Sequence, residues 1–276
     1  MTNSIIADYH VHSDFSSDGK ATAEQMIEQA ISLGLKKLCF TDHMDYDYRP
    51  VSNGYPFMFD IDDYMQKLSL MKQKYQADIE ILTGIELGIQ PHLQERLTDL
   101  VSSYDFDFVI GSSHVLDNTD PYFPEYWEGR TEEEGIHRYF QSIIDNCNTF
   151  DGFSVYGHID YIVRYTPTSK AGTYIEYDYR KYSDILDEAL KTILSLGKGI
   201  EINTAGFKYG LGHPHPKLEI IKRYKELGGE IITIGSDAHM PQHLCYNFES
   251  IPELLKSAGF NYYTVFVGGK PSFIKL

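Results

Sequence analysis

Histidine, aspartate and glutamate side chains recur in this sequence directly after short apolar runs. The segment ADYHVHSDFSSDG, residues 7–19, places two histidines one residue apart behind such a run. The pattern returns further along the chain in FTDH, GIE, GSSH, YGHID, EIN and GSDAH. Imidazole nitrogens and carboxylate oxygens, with no cysteine among them, suit Zn, Mn or Fe better than soft metals or iron–sulfur clusters. The residue types therefore predict metal-dependent chemistry.

Two of these segments carry side chains in i, i+2 spacing. Such residues point to the same face of a β-strand, so His10 and His12 can bind one ion together while Val11 packs on the other face. Asp237 and His239 repeat this spacing near the other end of the sequence. A single histidine after a strand is usually solvated or structural. Seven strand ends of the same kind indicate a shared metal site.

The elements that must position these side chains alternate between strands and helices. Short apolar runs are followed by segments of helical period, and two predicted helices begin with capping boxes, Thr22 with Gln25 and Thr131 with Glu134. Seven or eight such units predict parallel strands joined by helices, in a barrel or a doubly wound sheet. A last helix near PELLKSAG and a strand, YYTVFVGG, are expected to close the chain. In a (β/α) barrel the carboxyl ends of the strands meet at one face, where active sites lie.

Length and composition limit the class of protein. The 276 residues are 42% hydrophobic and 23% charged, and no linker or low-complexity segment divides them, so we expect one domain over residues 1–276. A net charge of -16 argues against nucleic acid or an anionic membrane as a partner. Three widely spaced cysteines, the lack of a signal peptide and the lack of a membrane-length apolar run predict a cytoplasmic protein. The oligomeric state leaves no signal in the sequence.

Six motifs, taken in order, resemble those of the PHP (polymerase and histidinol phosphatase) superfamily: HVHSDFSSDG, FTDH, GIELG, GSSH, YGHIDY and TIGSDAH. The resemblance extends from residue 8 to about residue 243. Chain length and the GSSH and GHIDY contexts are similar to the monofunctional histidinol-phosphate phosphatases of this superfamily. The resemblance implies a distorted (β/α)7 TIM-like barrel of the PHP type that holds three divalent metal ions, zinc first, with manganese or iron as alternatives.

The resemblance also implies which residues bind these ions. Nine side chains, all in or near the motifs, are implied as ligands: His10, His12, Asp18, His43, Glu86, His114, His158, Asp237 and His239. The first two histidines would hold one ion, to which Glu86 and Asp237 would also bind. Glu86 would bridge to a second ion, completed by His114 and His158.

The third ion would lie between Asp18, His43 and His239. Asp18 departs from the superfamily pattern, since some relatives have histidine at that position. Three ions need about 12 to 15 ligand atoms in all, more than nine side chains supply, so a hydroxide and phosphate oxygens would fill the rest. Three dications less three carboxylates and one hydroxide leave about two positive charges. A phosphate monoester dianion would neutralise them in a protein that is acidic overall.

These features together predict hydrolysis of a phosphate monoester by a metal-bound hydroxide. The resemblance implies L-histidinol phosphate as the substrate and L-histidinol and inorganic phosphate as the products, in histidine biosynthesis. No G-x-S-x-G, P-loop or Cys-x5-Arg motif indicates a covalent intermediate. A phosphotyrosine-protein phosphatase and other PHP phosphoesterases, including one associated with a DNA polymerase, are the alternatives. The negative net charge weighs against the enzyme associated with a DNA polymerase.

Three further residues are candidates for contact with the substrate. Asp160 follows His158 by two residues and would face the same way on a strand, which makes it the candidate general acid, or else a residue that orients a ligand. Arg164 is the best placed cation for the phosphate. His213, which precedes His215 in the loop sequence GLGHPHP, is expected to contact the substrate rather than a metal ion.

Two long loops are candidates for binding the rest of the substrate. Residues 44–59 and 115–130 are rich in aromatic and acidic side chains, and loops of this length are often functional. Histidinol phosphate carries an imidazole and an ammonium group, for which these loops offer rings and carboxylates. His92 and His137 lie on predicted helices and are expected to be structural or solvated.

Overall fold

The strands and helices alternate along the chain. The computed structural model describes residues 5–48, 57–170 and 177–276. The strands are β1 (Ala7–Val11), β2 (Lys37–Phe40), β3 (His43–Met44), β4 (Glu80–Gly88), β5 (Phe108–Ser112), β6 (Val155–Tyr156), β7 (Gly199–Asn203), β8 (Ile232–Gly235), β9 (Tyr262–Val267) and β10 (Lys270–Lys275). The helices are α1 (Ala23–Ser32), α2 (Ile61–Tyr75), α3 (Gln94–Ser103), α4 (Pro124–Trp127), α5 (Glu132–Thr149), α6 (Pro167–Lys170), α7 (Ser183–Ser195), α8 (Ala205–Lys208), α9 (Leu218–Glu226) and α10 (Ile251–Ser257).

Parallel strands form the wall of a barrel. Hydrogen-bonded neighbours follow the order β1, β2, β4, β5, β6, β7 and β8, and every pair is parallel. The short β3 pairs with β4 and continues β2 after a two-residue break. The backbone N–H of His12 donates to the carbonyl of Ala238 at 2.9 Å, which brings the chain after β1 against the chain after β8. The predicted distorted (β/α)7 barrel is therefore confirmed.

Helices cover the outside of the barrel because each of the longer ones has one apolar face. The two predicted capping boxes are confirmed: the hydroxyl of Thr22 accepts from the N–H of Gln25 at the start of α1, and that of Thr131 accepts from Glu134 at the start of α5. Within the described ranges, no helix is long and apolar enough to cross a lipid bilayer.

Apolar residues of β2 are covered by the first two helices. Met26 and Ile27 of α1 and Leu68 of α2 pack in one cluster with Leu38 and Phe40 of β2, and all five side chains are fully buried. Burying side chains of this size stabilises the fold by about 1.5–3 kcal/mol each. This packing fixes β2 beside β1, so that the two strands present their carboxyl ends together.

The last predicted strand does not extend the barrel. It forms β9, which pairs antiparallel with β10, a strand that the sequence pattern did not predict. The hydroxyl of Tyr9 in β1 donates to the carbonyl of Phe266 at 2.6 Å and accepts from its N–H at 2.9 Å. Thr264 accepts from the N–H of Ile232, at the start of β8. The hairpin therefore closes the amino-terminal end of the barrel.

Asp107 ties this hairpin to the barrel wall. Its carboxylate accepts from the N–H of Gly268 in the hairpin turn at 2.9 Å and from the N–H of Thr83 in β4 at 2.8 Å, and Lys72 of α2 donates to it at 2.8 Å. Burial alone would raise the pKa of Asp107, but these hydrogen bonds hold it below its usual value.

We expect Asp107→Asn to lower the free energy of unfolding at pH 7 by about 2 kcal/mol, because hydrogen bonds to a charged acceptor are lost. The folded-state pKa of the carboxyl group is lowered, so its contribution is complete above about pH 4 and is lost as the pH falls through the folded-state pKa. Urea unfolding of both proteins at pH 7 and pH 3 measures this. Asp105→Asn, at an exposed neighbour, is the control; a pH-independent difference for Asp107→Asn would contradict the assignment.

Candidate metal centre

Glu86 lies at the centre of the carboxyl end of the barrel. It is fully buried in β4. Its Oε1 lies 3.2 Å from Nε2 of His114 and 3.0 Å from Nε2 of His158, while its Oε2 lies 3.1 Å from Nε2 of His10 and 3.0 Å from Nδ1 of His43. The two oxygens of one carboxylate thus face two different sets of imidazoles. This is an arrangement in which one carboxylate can be shared by two cations.

The His-x-His pair of β1 faces Asp237, which follows β8. Nε2 of His12 lies 3.4 Å from Oδ1 of Asp237, and Nε2 of His10 lies 3.8 Å from the same oxygen. These three side chains form one group whose ligand atoms all lie within 4.8 Å of one another. Asp237 has a left-handed backbone (φ 52°), which aspartate tolerates better than most residues.

A further group joins His12 to His43 and His239, again with ligand atoms within 4.8 Å. Asp18 lies beside it, with Oδ2 3.1 Å from Nε2 of His239 and 4.0 Å from Nε2 of His43. The Asp18 side chain is 43% exposed, whereas Glu86 is fully buried. All nine predicted ligands therefore lie together at one end of the barrel, and the group around Asp18 is the most open to solvent.

Several ligand atoms have no hydrogen-bond partner although they are buried. Among the described residues these include Nε2 of His12, Nδ1 of His43, Nε2 of His239 and Oδ1 of Asp18. A buried polar atom without a partner costs about 1–3 kcal/mol. Since these atoms lie close to other ligand atoms but are poorly aligned for hydrogen bonds, the site fits bound cations. The nitrogen and oxygen donors suit zinc, manganese or iron.

The charges of the site agree with this fit. Burial alone would raise the pKa of Glu86, but the imidazoles of His10, His114 and His43 hold it well below its usual range. Burial lowers the pKa of His12 well below its usual value, and the neighbouring imidazoles of His239 and His43 lower it further. Burial alone would lower the pKa of His10 and His114, but Glu201 and Asp45 beside them, together with Glu86, raise it well above its usual value. Since a metal ion binds neutral imidazole, a cation at these rings would take the place of their protons beside the ionised carboxylates.

Buried carboxylates behind the imidazoles fix their orientation. Nδ1 of His10 lies 2.6 Å from Oε1 of Glu201, and Nδ1 of His114 lies 2.8 Å from Oδ2 of Asp45. Glu201 also accepts from the backbone N–H of His158 at 2.9 Å. Such contacts set the tautomer and direct the other ring nitrogen towards a metal ion. Neither carboxylate was among the predicted site residues, although Glu201 lies in the EIN segment, whose position at a strand end was a usable signal.

Asp160 lies outside the cavity lining, and its role as general acid stays a prediction. Its buried carboxylate lies 2.6 Å from Nδ1 of His215 and accepts from the hydroxyl of Tyr177 and the N–H of Lys217. Burial would raise the pKa of Asp160, but His215 holds it below its usual value. The i, i+2 spacing did not place Asp160 on the same face as His158, because β6 ends at Tyr156 and Asp160 lies in the turn beyond the strand.

The other two predicted substrate contacts differ in position. Arg164 lines the cavity, with its guanidinium carbon 3.6 Å from the ring centre of Tyr209 and 4.7 Å from that of Tyr165. His213 lies outside the cavity lining, with Nδ1 2.7 Å from the carbonyl of Pro214. Arg164 is thus placed where a substrate in the cavity can reach it, whereas the substrate contact of His213 stays a prediction.

A cavity of about 670 Å³ opens over the ligand cluster. Tyr48 and Phe57 from the first predicted loop and Asp120, Tyr122 and Phe123 from the second line it, as expected of loops that contact a substrate. Residues 49–56 of the first loop lie outside the described residues.

The two histidines predicted to be structural or solvated lie on the surface. His92 contacts Asp47 at 3.0 Å, with 55% of its side chain exposed. His137 lies exposed on α5. Neither lines the cavity.

Comparison with known families identifies the origin of this arrangement. The sequence profile of the PHP domain matches residues 8–205, more than half of the chain. The chain belongs to the PHP domain family. This PHP protein is 32% identical to histidinol-phosphatase of Lactococcus lactis subsp. lactis over 270 residues, which cover 95% of each chain. It is 34% identical over 249 residues to a protein of Clostridium acetobutylicum named as a probable histidinol-phosphatase, covering 89% of this chain and 91% of that one.

A solved structure shares the fold closely. The crystal structure of histidinol phosphate phosphatase from Lactococcus lactis subsp. lactis, complexed with Zn, L-histidinol and phosphate, superposes on this PHP protein with a TM-score of 0.85 at 31% identity. The superposition covers 96% of this chain and 98% of the other. The superfamily that the six motifs predicted is thereby confirmed.

We expect a chelator to destabilise the protein as purified with its metal, because buried ligands lose the cation that separates them. Loss of a ligand present at about 100 times its Kd removes about 2.7 kcal/mol, so Tm should fall by about 5–10 °C and recover on addition of Zn²⁺. Differential scanning calorimetry measures both steps. On addition of chelator, the Tm of His137→Asn should fall as far as that of the parent protein, and the Tm of Glu86→Gln should fall less. A Tm that responds to neither chelator nor zinc would refute the site.

Proposed function

We propose that this PHP protein is a metal-dependent phosphatase that hydrolyses L-histidinol phosphate to L-histidinol and inorganic phosphate, a step of histidine biosynthesis. The observation that carries the proposal is the convergence of nine side chains with nitrogen or oxygen donors, Glu86 and eight others, beneath an open cavity. A relative that is 32% identical over 95% of each chain is named histidinol-phosphatase. A structural neighbour with a TM-score of 0.85 contains Zn, L-histidinol and phosphate.

We further propose that the site holds three divalent ions, zinc first, with manganese or iron as alternatives. Within each of three groups the ligand atoms lie within 4.8 Å of one another, and because His12 and His43 each belong to two of them, the groups support a site for more than one ion rather than a fixed number. Divalent ions, when bound, lower the pKa of a coordinated water and neutralise the charge that develops on a phosphoryl group. Asp45 and Glu201 serve this chemistry by holding the rings of His114 and His10 in one orientation.

Arg164 is the side chain proposed to bind the phosphoryl oxygens. Its guanidinium is held against the ring of Tyr209 and donates to the hydroxyl of Tyr165, which limits its motion. A planar, permanently charged fork of donors matches phosphate geometry. Lys208 also lines the cavity. These cations, together with the bound metal ions, explain how a chain of net charge -16 attracts an anionic substrate.

The proposed substrate is a small molecule, and the proposed location is the cytoplasm. The cavity volume of about 670 Å³ lies in the range of small-molecule sites. The three cysteines, Cys39, Cys147 and Cys245, are free thiols, as expected in a reducing compartment. The strongly negative net charge argues against nucleic acid as the substrate.

Turnover of L-histidinol phosphate by the zinc-loaded enzyme should exceed that of a phosphotyrosine peptide by at least about 100-fold in kcat/KM. Asp237→Asn, which keeps a residue suited to the left-handed backbone, and His114→Ala should each lower kcat/KM at least about 1000-fold because a ligand is lost. Phosphate release measures turnover, and His137→Asn is the control. Preference for the peptide would favour the protein phosphatase, and near-normal activity of either ligand variant would refute the assigned roles.

Arg164→Gln should weaken competitive inhibition by inorganic phosphate about 10- to 100-fold, the effect of removing a hydrogen-bonded charge. Arg164→Lys should recover only part of this loss, since lysine keeps the charge but not the fork. Steady-state inhibition constants measure the effect. An inhibition constant unchanged in Arg164→Gln would exclude this contact.

A further inference from the structure

Asp120 is the carboxylate of the cavity wall that the metal centre does not account for. It lies in the loop after β5 and lines the cavity with Tyr48 and Tyr122. The other cavity carboxylates have assigned contacts: Asp45 holds His114, and Asp18, Glu86 and Asp237 lie against the clustered histidines. Asp120 takes part in none of the ion pairs among the described residues.

The contacts of Asp120 leave part of its carboxylate available. Its Oδ1 accepts from the N–H of Tyr122 at 2.7 Å, and its Oδ2 accepts from the hydroxyl of Tyr48 at 2.7 Å. A carboxylate has about four acceptor positions, of which these donors fill two. Lys170 directs its ammonium to the carbonyl of Tyr122 instead. Both donors to the carboxylate are therefore neutral groups.

Burial makes this arrangement costly for an ionised group. It raises the pKa of Asp120 above its usual value, although the two hydrogen bonds act in the opposite direction. Asp120 is half-buried, both of its hydrogen-bond donors are neutral, and the ammonium of Lys170 acts on it only from a distance. A cationic ligand group can therefore pair with its negative charge. The cavity lining also contains Arg164 and the ligand cluster, which can bind an anionic group of a ligand. Asp120 offers a separate place for a cationic group.

We propose that Asp120, held by Tyr48, binds the ammonium group of the alcohol that is released from the phosphate ester. The assignment rests on the proposed function and names the residue that selects its leaving group. An alkylammonium is fully charged at neutral pH and donates to the two free acceptor positions of the carboxylate. Tyr122, which lines the cavity beside Asp120, is 52% exposed and packs edge to face on Tyr165 at a ring-centre distance of 5.5 Å, so its ring offers apolar surface to a planar substituent of the same alcohol. Asp120 is thus a specificity residue and not a metal ligand.

The test pairs one residue with one group of the ligand. Binding of L-histidinol, and of its analogue in which hydrogen replaces the amino group, is measured by calorimetry on zinc-loaded protein. The same two alcohols are then compared in Asp120→Asn. We expect this variant to lose about 10- to 100-fold in affinity for L-histidinol and much less for the analogue, so that the preference of the parent protein disappears. Glu128→Gln, at an exposed carboxylate of the same loop outside the cavity lining, should keep that preference.

The possible results separate clearly. A preference for L-histidinol that persists in Asp120→Asn, or that is missing from the parent protein, overturns the assignment. An equal loss for both alcohols also overturns it, because Asp120 would then act on the shape of the cavity or as a proton donor. Affinity for inorganic phosphate, measured in parallel, shows that the variant is folded. If the parent protein prefers L-histidinol yet does not hydrolyse its phosphate ester, the proposed function fails while the role of Asp120 stands.

Discussion

The structure depends on one electrostatic requirement: the buried carboxylate of Glu86 must lie among imidazoles that approach it from four directions. Water cannot stabilise that charge, so nearby cationic or metal-bound groups must do so. Parallel strands meet this need because their carboxyl ends point to the same face. The barrel brings together residues as distant in sequence as His10 and Asp237, and the carboxylates behind the rings keep them in one orientation.

Much of this arrangement could be predicted from the sequence because it depends on patterns of a few consecutive residues. A strand, a polar residue at its end and an amphipathic helix each occupy a few consecutive positions, and the capping boxes at Thr22 and Thr131 mark helix starts without any tertiary information. The repetition of the polar strand end then indicates a common site. By contrast, the contact between Glu201 and His10 joins residues 191 positions apart, and no local pattern records it.

The errors have equally local causes. The side-chain alternation of a strand was extended to Asp160, but β6 is two residues long and the chain has already turned there. The strand β10 escaped prediction because most of its residues are exposed and it carries no alternating apolar pattern. Its partner β9 looked like one more barrel strand, since buried apolar strands have similar sequences wherever they pack. Only tertiary contacts, such as that of Tyr9 with Phe266, separate the two cases.

The hairpin of β9 and β10 seals the barrel at the end opposite the ligand cluster, and Asp107 fastens it there. The contacts that fasten the hairpin and the side chains of the ligand cluster thus lie at opposite ends of the same strands. The loops around the cavity can change during evolution, and the alcohol that is accepted can change with them, while the hairpin at the other end keeps the chain folded. A descendant with a new substrate would be expected to differ from this protein first in those loops and last in the hairpin of β9 and β10.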